Sequence, residues 1–227
     1  MAALGPEPPI EHVVFASLTS REVEVTHLKL LSVAALSVLA LAACQKKDEA
    51  ATAADPGTSN TAVNSAQDAT SAAVGQTSAA TMGAMSTDAF VTNAAMSDMY
   101  EIEAGKIAQT KGQTAAVKDF GKMMVTEHTA MPNAMKPLIM AAGKTAPAGL
   151  DERRKGLIDN LNAATAADFD KVYLDQQEAA HKEALTLMKG YADHGDDAGL
   201  KAGAAKAAPK VQEHLDHVMA IKAGGAH

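Results

Sequence analysis

The sequence predicts an all-α protein, a bundle of four long helices behind an extended N-terminal region. Three observations predict it. From Ser86 onward apolar residues recur three and four apart, the period of an amphipathic helix. No stretch alternates apolar and polar residues over a useful strand length. The composition is Ala- and Met-rich with only 3% aromatics and no Trp, while 47% apolar residues suffice for a packed core. The formal net charge of −7 excludes the basic footprint of a nucleic-acid binder, and the scarcity of aromatics excludes base stacking on single strands. One Cys excludes an intramolecular disulfide framework and a multi-cysteine zinc site.

The N-terminal region reads as an address. Leu30 to Ala43 is LLSVAALSVLALAA, shorter than the roughly 20 apolar residues of a spanning helix. With Arg21 and Lys29 ahead of it, the run has the form of a signal-peptide core. It ends Leu41-Ala42-Ala43-Cys44, and small residues before the lone Cys resemble the bacterial lipobox. In such signals the Cys is lipidated on sulfur and becomes the new N-terminus; the alternative is an ordinary secretory signal with an incidental Cys. Residues 1–43 are therefore expected to be an N-terminal extension plus a lipoprotein signal peptide, with Cys44 as the lipidation site. Gln45 follows it, where an Asp would retain the protein in the inner membrane under the enteric sorting rule, so the outer membrane is the expected address. Residues 1–24 carry Pro6, Pro8, Pro9, Glu7, Glu11, Glu22 and Glu24, unlike a short basic leader. Translation is expected to start at Val23 or Val25, so removing the Met1 codon leaves expression intact; loss of the protein would overturn this. After Cys44, residues 45–85 are dominated by Ala, Thr, Ser, Asn, Gly and Asp. A chain so poor in large apolar residues is expected to stay a disordered linker, because burial does not offset its ordering entropy. Forty such residues reach about 35 Å from the lipid.

The helical domain is expected over 86–227. Ser86 or Thr87 with Asp88 can cap a first long helix over 87–111, and Gly112 stops it. A second spans 113–142 with Gly143 beyond it; Pro132 and Pro137 fall inside and predict a kink. DERRKGLIDNLNA at 151–163 reads as a short helix on a connection. A third long helix spans 166–193 before His194-Gly195, and a fourth spans 196–223 around Pro209. The connection between the second and third helices exceeds a tight turn. It is long enough to cross the bundle, as in a ferritin-like four-helix bundle with one crossover; an up-down-up-down order is the alternative.

Each long helix carries an ionisable residue on its apolar stripe. The second places Val117, Phe120, Gly121, Met124, His128, Met131, Met135 and Leu138 on one face, with His128 central. The third places Tyr173, Leu174, Gln177, Ala180, His181, Ala184, Leu185 and Met188 together, with His181 central. The fourth places His214 among Val211, Leu215, Val218 and Ile221, and the first places Glu101 among Phe90, Ala94, Gly105 and Ala108. Mid-helix positions of a bundle lie at similar depth, so Glu101, His128, His181 and His214 are expected in one layer. Two readings follow. The first is a transition-metal site of Glu101, His128, Glu178, His181 and His214, since imidazole and carboxylate are standard ligands that bundles supply from facing helices. The second is a hydrogen-bonded core network of Glu101, His128, Asp170, Tyr173, His181 and His214, because a neutral imidazole both donates and accepts. Asp170 heads the third helix, about 16 Å from His181, too far to join it directly. Met124, Met131 and Met135 flank His128 and are either core filler or thioethers that hold Cu(I) beside an imidazole. Tyr173 and Tyr191 read as core rings, and Glu127, Glu213 and His217 as rim residues. No nucleophile elbow or other hydrolase motif is present.

Several phrases together resemble a known family. They are Phe90 to Glu101, Val117-Lys118-Asp119-Phe120 with Met124-Val125-Thr126-Glu127-His128, Phe169 to Leu174 followed by His181, and Pro209 with His214-Leu215. Residues Phe90 to Ile221 resemble the bacterial domain-of-unknown-function 4142 family, described as predicted outer-membrane, ferritin-like proteins. The resemblance implies a helical bundle in the cell envelope and no established activity. The ferritin di-iron pattern requires two Glu-x-x-His pairs. Here only Glu178 and His181 have that spacing; Glu127-His128 and Glu213-His214 are adjacent and diverge by about 100°. The leading functional expectation is a non-enzymatic envelope lipoprotein, structural, stress-related or partner-binding, tied to the membrane by its lipid anchor. The alternative is a metal-binding or redox bundle using the Glu/His layer.

Overall fold

A computed structural model describes residues 56–224 of the chain. Cys44, the apolar run and the first part of the expected linker lie outside the described residues. The described residues form six helices: α1 (Thr61–Ala80), α2 (Thr87–Lys111), α3 (Ala115–Ala141), α4 (Glu152–Ala163), α5 (Ala166–His194) and α6 (Ala198–Ala223), with no strand among them. None of these helices is long and apolar enough to cross a membrane.

The helix ends follow from local chemistry. Thr114, Thr165 and Asp197 accept from the backbone amides of Val117, Asp168 and Leu200, capping α3, α5 and α6. Asp151 does the same for Arg154 at the start of α4. Ser86 occupies the N-cap position of α2 but its side chain caps nothing. The Thr87 hydroxyl instead meets the Tyr191 hydroxyl at 2.6 Å and also bonds Asp196. Tertiary partners here outcompete the local cap. α3 runs through both Pro132 and Pro137. A proline has no N–H, so the carbonyl of His128, four residues before Pro132, has no helical donor.

Polar clasps fix the directions of the long helices. Lys111, at the end of α2, donates to the carbonyls of Leu161, Asn162 and Ala164 at 3.2, 2.7 and 3.0 Å. Asp170, in the first turns of α5, accepts from the amides of Gln113 and Thr114 at 2.7 and 2.9 Å and from the Thr114 hydroxyl at 2.9 Å. The start of α5 thus lies at the α2–α3 turn. At the other end Phe90 stacks on Tyr191 with centroids 4.0 Å apart, and Lys144, just past α3, pairs with Asp88 at 2.8 Å. α3 and α5 therefore run in the same direction, and the 142–165 connection returns along the length of the helices. α2 packs on α3 and α5, and α6 packs on α5 and α3.

α4 lies on that connection, against α2, α1 and α5. Its Arg154, 3% exposed, bonds Asp151, Glu183 and Asn93 at 2.7, 2.9 and 3.4 Å. Arg153 shares the same Glu183 oxygen at 2.8 Å. One carboxylate thus ties the connecting helix to α5.

The expectation of a disordered linker through residue 85 does not hold over 61–80. Those residues are α1, packed on α5 and α4. Large apolar residues prove unnecessary, because Ala is the strongest helix former and small side chains allow close approach. Asn60 caps the helix through the amides of Ala62 and Val63, and Ala79 and Gly75 are buried in it. Polar ties do the rest: Gln76 donates to Thr186 at 2.6 Å, Arg153 to the Ser71 carbonyl at 3.1 Å, and Asn160 to Asp68 at 2.7 Å.

Two glycines set the α2–α3 spacing. A Cβ on Gly105 would lie 2.7 Å from the Gly121 carbonyl oxygen, and one on Gly121 would lie 2.8 Å from the Gly105 oxygen. The two helices touch backbone to backbone at this point. The apolar core forms two clusters. Tyr100, Ala104, Phe120, Met124, Tyr173 and Leu215 belong to one; Phe90, Ala94, Ala184, Tyr191, Ala204 and Val211 belong to the other. Along α3, α5 and α6, His128, His181 and His214 fall between these two sets.

Candidate metal centre

His128 of α3, His181 of α5 and His214 of α6 meet between the two clusters, with exposures of 2%, 1% and 2%. Their ring centroids are 5.9 Å (128–181), 5.3 Å (128–214) and 5.4 Å (181–214) apart. One ligand nitrogen from each ring lies within 4.8 Å of the others.

Each ring is held from outside by one nitrogen. His128 Nδ1 donates to Asp98 Oδ1 of α2 at 2.8 Å. His214 Nε2 donates to Glu127 Oε2 of α3 at 2.8 Å. His181 Nδ1 lies 2.8 Å from the carbonyl of Gln177, one turn earlier on α5. A carbonyl only accepts, so this nitrogen carries the proton and Nε2 of His181 carries the lone pair. On all three rings the second nitrogen, His128 Nε2, His181 Nε2 and His214 Nδ1, is buried and has no hydrogen-bond partner among the described residues. Buried polar atoms are rarely left unpaired, because each forfeits its hydration for nothing in return.

The charges follow from the surroundings. Burial and the neighbouring His128 charge push His181 down to about 3, so it is neutral. Burial also lowers His214, in spite of the Glu127 bond. Burial opposes the His128 cation too, but the Asp98 bond and the charge of Glu101 outweigh it and raise that imidazole. Burial raises Asp98. The layer therefore sets two rings that burial keeps neutral beside a third that holds a proton readily.

Glu101, 1% exposed, stands at the edge of the layer. Its Oε2 accepts from Gln177 Nε2 at 2.6 Å, and its Oε1 is 3.8 Å from His181 Nδ1. Burial raises its carboxyl to about 7, although the His128 charge and the Gln177 bond work the other way.

The other expected residues lie elsewhere. Glu178 faces outward and pairs with Lys182 and Lys222; the i, i+3 spacing to His181 put it on the rim of the helix face, within reach of surface lysines. Asp170 clasps the α2–α3 turn and takes no part in the layer. Tyr173 is fully buried, near Phe169 and Phe120 at 6.1 and 6.3 Å, with an unpartnered hydroxyl. Burial first, then the Glu101 charge, raises its phenol well above the usual range. Met124 belongs to one apolar cluster and Met135 packs against the other, so these two thioethers are divided between them. Glu213 pairs with Lys210 at 2.7 Å, and the His217 ring meets the edge of Phe120 at 5.4 Å.

Sequence reasoning passed over Asp98 and left Glu127 on the rim. Asp98 had a signal, standing three residues before Glu101 on the same helix face. Glu127 had none. It is adjacent to His128 yet reaches across to His214 on another helix, which only the α3–α6 packing decides.

These features define an all-helical domain with a buried layer of three histidines, two of them oriented by carboxylates. A family model described as Domain of unknown function (DUF4142) matches residues 72–221. The chain belongs to that family. Comparison with curated proteins and with solved structures gives no match.

Proposed function

We propose that the helical domain binds a transition-metal ion through His128, His181 and His214. We further propose that the chain is a lipoprotein of the bacterial cell envelope, anchored through Cys44 and addressed to the outer membrane. The observation that carries the metal reading is that the three rings meet with one ligand nitrogen from each within 4.8 Å of the others, while each ring keeps one buried nitrogen with no partner among the described residues. A purely hydrogen-bonded layer would pair them, since every lone pair in it needs a donor. A cation that displaces the proton from His128 Nε2 as it binds satisfies all three at once. With no side of the nitrogen triangle longer than 4.8 Å, its centre lies no more than about 2.8 Å from each nitrogen. Inward movement of each ring by at most roughly 0.7 Å then meets the usual 2.0–2.1 Å metal–imidazole bond.

The surrounding chemistry supports the same reading. Metal-bound histidines almost always donate their other N–H to a carboxylate or carbonyl, which fixes the tautomer and raises ligand basicity. Asp98, Gln177 and Glu127 stand in those positions. Imidazole ligands suit zinc, copper, iron and nickel, and such an ion supplies either a rigid crosslink of three helices or a redox centre. Two hairpins, α2–α3 and α5–α6, joined by a connection that returns along their length, support a ferritin-like arrangement. The donor set is histidine-rich, unlike the carboxylate-rich di-iron pattern.

The test is metal content. The full chain is exported to the periplasm, purified without chelator or His-tag, and analysed by inductively coupled plasma mass spectrometry, with Co(II) titration followed by absorbance. A near-stoichiometric metal, lost in His128→Ala and in His181→Ala variants that keep their helical circular dichroism, is expected. A folded wild-type protein that carries no metal and takes up no cobalt, iron, zinc or copper overturns the proposal.

A further inference from the structure

We propose that a methionine-lined groove between α2 and α3 is the route by which Cu(I) reaches the histidine layer, and that cuprous copper is the ion the layer takes. This rests on the metal reading above and adds the identity of the ion and its path.

The groove measures about 420 Å³ and is mostly apolar. Met99 of α2 and Met135 and Met140 of α3 line it, and Met140 is 67% exposed at its mouth. Asp98 lines the same groove. Its side chain is 14% exposed, and it is the residue that holds His128 Nδ1 at 2.8 Å. The groove therefore runs from an exposed thioether to the carboxylate that supports one of the three rings. Pro132 lines it as well. Because Pro132 offers no amide to the His128 carbonyl, the turn of α3 between these two residues lacks a hydrogen bond.

The chemistry selects the ion. Thioethers are soft, uncharged ligands that favour Cu(I) and bind hard divalent ions poorly. A chain of them passes a soft ion by ligand exchange, one sulfur bond forming as another breaks, with no electron or proton transferred. Lys144 beside the groove is neutralised by Asp88 at 2.8 Å, and Lys136 shares the lining with the Asp98 carboxylate, so sulfur chemistry and not charge selects the ion. Imidazoles then complete the transfer, since nitrogen donors also bind copper.

The experiment compares loading rates in the full chain under anaerobic conditions. Cu(I) is supplied from a bicinchoninate complex and followed by loss of that chromophore; Co(II) is supplied as the chloride. The variant is Met99→Leu/Met135→Leu/Met140→Leu, which conserves volume and apolarity. Wild type and variant are expected to bind the same final amount of Cu(I), while the variant loads about tenfold more slowly and takes up Co(II) at the wild-type rate. Equal Cu(I) loading rates overturn the route. Equal slowing of Cu(I) and Co(II) also overturns it, because packing and not sulfur chemistry would then be responsible. Failure of the underlying metal reading looks different: wild type binds neither ion, or the His128→Ala variant binds both as well as wild type does.

Discussion

In the metal-free protein, Glu101→Gln stabilises the fold by about 3 kcal/mol near pH 8 and leaves its stability unchanged near pH 4. The Glu101 carboxyl rises from 4.5 to about 7 on folding, with burial the largest cause. Below the unfolded value the group is protonated in both states and contributes nothing. Between the two values the unfolded chain releases a proton that the folded chain retains, so rising pH favours unfolding. Above about 7 the penalty is complete. Glutamine keeps an acceptor for the Gln177 amide and never ionises, so the variant escapes the penalty. His181 slopes the other way. Its pKa falls from 6.5 to about 3 on folding, so its neutral form costs stability below the unfolded value and that cost fades as pH rises through 6.5. The two slopes oppose each other where they overlap, and the difference between variant and wild type cancels the His181 slope and leaves Glu101 together with the support its charge gives the His128 cation. Urea midpoints near pH 4, 6 and 8 in the presence of chelator measure it. Parallel pH curves for the two proteins would show that Glu101 ionises normally in the fold.

Gly121→Val destabilises the protein by about 3 kcal/mol or more, enough to remove much of a domain's stability. On helix propensity alone, replacing a mid-helix glycine is favourable, by about 1 kcal/mol for alanine. The contact reverses the sign. The first added carbon lies 2.8 Å from the Gly105 oxygen and 2.8 Å from Ala108 Cβ. The oxygen belongs to the backbone of another helix and cannot rotate away, so α2 and α3 must separate. That separation also moves Glu101, one turn before Gly105, away from the layer. Gly156→Ala provides the control. Its new carbon meets nothing nearer than Pro56 at 3.4 Å, so propensity prevails and the fold gains about 1 kcal/mol. Thermal unfolding of the two variants decides the matter; a Gly121→Val protein as stable as wild type would mean that the helices are not held together at this point.

Much of the fold was legible in the chain because helices are local. The 3.6-residue period and the stops at Gly112 and at His194-Gly195 are readable within a few residues, whereas the cap read at Ser86 is not made by its side chain. The observed ends of the four long helices fall close to those the pattern predicts. α1 was not legible, because its stabilisation is not local. A stretch of Ala, Ser, Thr and Gly has the composition of a tether, and it becomes a packed helix only through close approach to α5 and through partners such as Arg153, Asn160 and Thr186, which lie 82, 92 and 110 residues along the chain from the groups they bond.

The candidate site divides along the same line. The sequence by itself determined that Glu101, His128, His181 and His214 sit on apolar stripes near mid-helix, because burial of a stripe follows from its period. It also determined the pairing of helices by short turns. Which nitrogen of each ring faces inward, and that Asp98 and Glu127 hold rings on neighbouring helices, were decided only by the packing of α2, α3, α5 and α6. The expulsion of Glu178 to surface lysines was decided there too. The physical reason is that helical period specifies a face to within tens of degrees. Coordination and hydrogen bonding depend on ångströms between side chains of different helices, and those distances exist only once Gly105 meets Gly121 and the helices have docked.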